Sequence, residues 1–129
     1  MSANPWCYID APDLDALDLA SIAVTQMFDG HPYLVGSCLT KPDYRDVDIR
    51  TILFDDRYDE LFGPGNHRDA LRHLIQRAIT DRYVTETGLR IDYQIQRMSD
   101  ANAKYPTGNR HPLGMYPDPP ESFEGDINV

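Results

Sequence analysis

The chain has 129 residues, 41% of them hydrophobic, which is enough for one domain with a real core and too little for two. Twenty-one acidic against twelve basic residues leave a formal net charge of −9, so the surface should repel nucleic-acid backbones and anionic membranes. Only two cysteines (Cys7, Cys38) and four histidines (His31, His67, His73, His111) are present, at no zinc-binding spacing, so any metal would have to be held by carboxylates.

From Asp10 to Gly30 the apolar residues Leu14, Leu17, Ala20, Val24, Met27 and Phe28 recur every three or four positions, which predicts a helix. Asp10 is its expected N-cap, Pro12 is tolerated in the first turn, and Gly30 is the expected left-handed terminus. Pro32-Tyr33-Leu34-Val35 suits a short buried strand, and Gly36-Ser37 a turn leading into a polar connection, Cys38 to Arg45. From Asp46 to Phe54 the residues alternate: Asp46, Asp48 and Arg50 share one side, Val47, Ile49 and Thr51 the other, as in a strand with one apolar face.

Arg57 to Phe62 is expected to form one or two helical turns before Gly63-Pro64-Gly65 breaks the chain. The clearest helix is Asn66 to Thr87, capped by Asn66 with Asp69 and closed by Gly88, with Leu71, Leu74, Ile75, Ala78, Ile79 and Tyr83 as its apolar stripe. Leu89 to Gln96 alternates again and forms a third strand, with Arg90, Asp92, Gln94 and Gln96 opposite Leu89, Ile91, Tyr93 and Ile95. Beyond Arg97 lie five of the ten prolines, and Pro117 to Val129 carries four acids and no base. Ser99 to Leu113 is therefore expected to be an irregular flap and the end a mobile tail, leaving a core of about 10–97 in a single 1–129 domain. The resulting class is α/β (α+β): a small mixed three-stranded sheet packed on helices. With no basic-then-apolar leader in Met1 to Asp10 and no run approaching ~18 apolar residues, the expected location is cytoplasmic and not membrane-bound.

The chemistry is concentrated in three places. Asp46 and Asp48, two apart on a strand, project to one face with Cα atoms ~6.6 Å apart, so their carboxylates can converge on a hard divalent ion or on a pair of them. Asp92, on another strand, can supply a further oxygen ligand. Gly36-Ser37 offers close backbone approach, free N–H groups and a hydroxyl, which suit phosphate oxygens. Arg50 shares the carboxylate face and could meet phosphate or neutralise the acids, while Arg45 and Lys41 stand in the connection just before them. Arg110 and His111 fall in the flap, Arg68 and Arg72 serve solubility, His67 and His73 face solvent, and Cys38 reads as a small buried side chain. An EF-hand is excluded, because counting from Asp46 its fifth and sixth positions are Arg50 and Thr51, and no GxxxxGK[ST] phosphate loop occurs. A glycosyltransferase DxD predicts neither the upstream Gly-Ser nor the downstream strand Asp; a nuclease built on strand carboxylates stays open.

Tyr33-Leu34-Val35-Gly36-Ser37, then Asp46-Val47-Asp48-Ile49, then Ile91-Asp92-Tyr93 resembles, in order and spacing, the polymerase-β-like nucleotidyltransferase superfamily. The likeness covers roughly residues 30–97 and is closest to the minimal nucleotidyltransferases, including short proteins of actinobacteria and their phages. It implies a nucleoside triphosphate with Mg²⁺, two ions in all, held by Asp46, Asp48 and Asp92, the last also helping to activate an acceptor hydroxyl. Gly36 and Ser37 would hold the β- and γ-phosphates, with Arg45 and Arg50 as further nucleotide-binding candidates. The core leaves no room for polymerase fingers and thumb, so the expected acceptor is a protein side chain or a small molecule, as in toxin–antitoxin pairs that resemble this core. The competing expectation is a nucleotide-sensing or partner-docking module, antitoxin-like or a phage accessory protein, with its acidic cluster unused for catalysis.

Overall fold

The computed structural model describes residues 7–64 and 69–115. Helix α1 (Ala11–Phe28) leads into strand β1 (Tyr33–Val35), a 3-10 helix (Gly36–Leu39) and strand β2 (Val47–Leu53). Helices α2 (Asp55–Phe62) and α3 (Asp69–Thr87) precede strand β3 (Ile91–Arg97), and helix α4 (Met98–Lys104) precedes strand β4 (His111–Pro112). The strands form one mixed sheet in the order β3-β2-β1-β4. β1 runs antiparallel to β2 and β4, whereas β2 and β3 are parallel. A parallel pair needs a crossover long enough to reverse the chain, and α2 with α3 provides it.

The alternation along β2 places Val47, Ile49, Thr51 and Leu53 on a buried face and leaves Asp48, Arg50 and Ile52 half-buried on the other. On the buried face Leu34, Val47, Ile49, Tyr93 and Ile95 join Leu17, Ala20, Val24 and Phe28 of α1 and Ile79 and Tyr83 of α3 in one core cluster. Two hydroxyl pairs complete it without orphaned polar groups: Ser21 Oγ with Tyr83 OH at 2.7 Å and Thr51 Oγ1 with Tyr93 OH at 2.6 Å. At the outer edge of β3, Gln76 Oε1 accepts the Ile95 N–H at 2.7 Å. That contact satisfies an edge donor otherwise open to strand pairing.

The fold class is mixed α and β as expected, but the sheet has four strands, not three. β4 and helix α4 lie inside the stretch expected to be an irregular flap. Its anchors are non-local: Leu113 N–H donates to Pro32 O at 2.9 Å, Leu113 O lies 3.0 Å from His31 Nδ1, and Gly114 N–H donates to Asp18 Oδ1 at 2.9 Å. At the start of α4, Ser99 N–H donates to Asp55 Oδ1 at 3.0 Å and Arg97 pairs with Asp59 at 2.6 Å. The terminus of α1 also differs. Asp29, not Gly30, takes the left-handed conformation (φ 54°), which Asp tolerates better than most residues with a side chain, and the N–H groups of Asp29 and Gly30 both close on Thr25 O. On α3 the buried side is Ile79 and Tyr83 with Ile75 beside them, while Leu71, Leu74 and Ala78 face outward, as does Met27 of α1. The Asn66 cap, His67, Arg68 and the acidic tail lie outside the described residues.

Candidate functional site

The sheet's second face carries the predicted chemistry. Register places Val35 opposite Asp48 across the β1–β2 pair and Asp48 beside Asp92 across the β2–β3 pair, so the three form one row. The next row along is Tyr33, Arg50 and Gln94, and the one beyond it Ile52 and Gln96. Since side chains of paired residues project to the same side, Asp48 and Asp92 share this face.

Gly36 follows Val35 at the end of β1 with φ 82°, a conformation that L side chains rarely adopt. A Cβ there would collide with Asp48 Oδ2, so the glycine is what lets the backbone corner approach the carboxylate. Ser37 continues into the 3-10 helix, its carbonyl accepting the N–H groups of Thr40 (3.0 Å) and Lys41 (2.8 Å). Cys38 is fully buried, and burial pushes its thiol up to about 12, so it packs as a neutral side chain and not as a nucleophile.

Burial raises the Asp48 carboxyl above its ordinary range; Arg50 pulls it down, and Asp92 and Asp46 push it up again. Asp46 and Asp92 thus both act on Asp48, yet in this conformation each of the two is held by an arginine. Asp46, just before β2, pairs with Arg90 at 3.3 Å, and Asp92 Oδ2 pairs with Arg50 Nη2 at 3.4 Å. Among the described residues no three carboxylates, histidines or cysteines stand gathered around a single metal-sized position. Arg45 is exposed, one residue before Asp46, and enters no ion pair among the described residues.

Beside Asp48 the face opens into a cavity of about 280 Å³, roofed by α4 and the loop to β4. Gly36, Asp48 and Arg50 lie at its polar end, Val35, Leu39, Ile52 and Ala101 form apolar walls, and Gln96, Tyr105, Asn109 and Arg110 complete the lining. Arg110 is braced by donating to Asn102 Oδ1 at 2.9 Å. Of the predicted site residues, the structure brings Gly36, Asp48 and Arg50 to the cavity and sets Asp92 beside them in register. Ser37, Lys41, Arg45 and Asp46 do not line it. Gln96, expected on the polar face of Asp92, does line it, whereas sequence reasoning missed Ile52, although it has the same strand parity as the aspartates. It also missed Tyr105 and set Arg110 aside, because both depend on α4. The local signal for α4 was there: two alanines, Asp100 in the first turn and Lys104 in the last, a charge order that complements a helix dipole.

Comparison with known proteins finds no matching family model, no similar curated protein and no similar solved structure. Among the described residues no helix is long and apolar enough to cross a membrane.

Proposed function

We propose that the chain is a nucleotidyltransferase that binds a nucleoside triphosphate with Mg²⁺ on the open sheet face and transfers its nucleoside monophosphate to a hydroxyl. The single observation that carries this reading is the row in which a glycine corner touches Asp48 and Asp48 stands in register beside Asp92, at the mouth of a cavity. The donor set fits a hard divalent ion in its chemistry: oxygen ligands from neighbouring strands, with a carboxylate whose raised proton affinity reflects burial beside like charges. Asp48 and Asp92 would hold the ion, with Asp46 once freed from Arg90. When bound, Mg²⁺ supplies charge neutralisation at the phosphoryl group and lowers the proton affinity of a coordinated hydroxyl.

The protein's own part is positioning. Gly36 offers its backbone N–H to the terminal phosphates, with Ser37 next to it in the 3-10 helix just outside the lining, Arg110 offers a cation in the cavity lining, and Val35, Ile52 and Tyr105 offer apolar surface to the nucleoside. The acceptor oxygen forms a bond to the α-phosphorus as the α–β phosphoanhydride breaks, the acceptor proton passes to solvent, and pyrophosphate leaves. The small cavity and the net charge of −9 favour a protein side chain or small molecule over long nucleic acid as acceptor.

Isothermal titration with ATP, GTP, CTP and UTP, with and without Mg²⁺, tests the reading. Metal-dependent binding of at least one nucleotide is expected, lost in Asp48→Asn, with pyrophosphate released once cell extract supplies the acceptor. Binding indifferent to both metal and Asp48→Asn would overturn it. A nucleotide-sensing module is the second reading, favoured by the arginine pairing of Asp46 and Asp92. It predicts the same binding without pyrophosphate release.

A further inference from the structure

We infer that the outward side of α3 is a docking surface for a second copy of this chain, the two helices packing antiparallel about a two-fold axis at the level of Ile79. This surface is separate from the nucleotide site: α3 packs on the sheet face opposite Asp48 and leaves the cavity free.

Opposite the buried Ile79 and Tyr83, the solvent side of α3 runs through Ala70, Leu74, Arg77, Asp81 and Val84. The steps are four, three, four and three residues, the spacing of a seam along which two helices pack knobs into holes. Leu74 is 68% exposed and Val84 42%, large apolar side chains left in solvent. Their neighbours His73, Ala78 and Thr85 are exposed as well and add no formal charge.

The order of residues along the seam selects the partner. In an antiparallel pair turned about Ile79, residues equally far before and after it stand at one level, so Leu74 meets the partner's Val84 and Arg77 meets the partner's Asp81. Each contact then occurs twice, as two-fold symmetry requires. A parallel pair would instead set Arg77 on Arg77 and Asp81 on Asp81, which costs free energy. Within one chain Arg77 Nε and Asp81 Oδ1 lie 3.3 Å apart, but the side chains are 80% and 65% exposed, and such a pair is worth little by itself. Between two copies the same charges are flanked by the two Leu74–Val84 contacts and fix the register. Charge over the whole molecule points the same way. The chain carries −9, yet α3 holds three acids and three arginines, so it is a neutral surface on which two like-charged molecules can meet.

Sedimentation velocity of the full chain across a concentration series is the test. One helix from each copy makes a small interface, so wild type is expected to dimerise with a dissociation constant on the order of tens of micromolar, and dilute denaturation assays follow the monomer. Arg77→Asp alone and Asp81→Arg alone each set like charges against one another and should weaken self-association at least about tenfold. An equimolar mixture of these two variants has the total charge of wild type and should regain the dimer, as should the double variant that exchanges the two charges. Both positions are exposed, so neither change touches the core, and far-ultraviolet circular dichroism checks the fold. A monomer at every concentration overturns the inference and leaves the face to a different protein. A dimer indifferent to either single change, or single variants that stay apart when mixed, overturns it as well.

Discussion

At the scale of single residues, Gly36 carries the sharpest constraint. Its positive φ and the carboxylate packed against its missing side chain act together, so Gly36→Ala meets both backbone strain and a collision with Asp48. The expected cost is about 1–3 kcal/mol, read as a lower urea midpoint with unchanged slope. Asp48 must move to relieve the collision, so nucleotide binding should fall by more than the stability change accounts for. Alanine at Gly88 offers a control, because its φ is also positive but nothing stands within 4 Å of the added Cβ. There only the strain component should appear, with nucleotide binding intact.

Among the elements, α3 shows how a periodic stripe overstates what is buried. Leu71, Leu74 and Ala78 recur at helical spacing with Ile75, Ile79 and Tyr83, yet α3 turns only the latter set inward, where Tyr83 meets Ser21 of α1. Leu74 is 68% exposed and Ile79 6%. Ile79→Ala should therefore cost about 2–5 kcal/mol, with Leu74→Ala within about 0.5 kcal/mol of wild type in the same denaturation assay. The polar residue Gln76 sits nearer the sheet than Leu74 because its amide oxygen completes the outer edge of β3. Such a role is invisible to a hydrophobicity pattern. Helix α4 was hidden for a different reason: at seven residues it is too short to show periodicity, and its anchors, Asp55 to Ser99 and Asp59 to Arg97, join residues about 40 apart.

For the molecule as a whole, the two buried phenols set an alkaline limit. Burial raises Tyr83 to about 12, opposed by its bond with Ser21, and raises Tyr93 as well. Below the ordinary phenol value of about 10 both are neutral in folded and unfolded chains alike, and their contribution is intact. As pH rises from there through the folded value of Tyr83, the unfolded chain ionises first and stability falls. The urea midpoint should hold steady from pH 7 to 9.5 and drop by pH 11. Tyr83→Phe should flatten that drop, at a neutral-pH cost of about 1 kcal/mol from the unpaired Ser21 hydroxyl.

The alternation of residue types determined by itself that Asp48 and Asp92 each lie on the polar side of a strand, and helical spacing located α1 and α3, because both patterns are local consequences of backbone geometry. Only the tertiary structure decided that the two strands run parallel with Asp48 beside Asp92, that Arg50 claims Asp92, and that α4 with β4 builds a fourth strand and a roof over the face. Register, ion-pair choice and cover arise when segments far apart in the chain meet, and their energies depend on distances that no local pattern encodes.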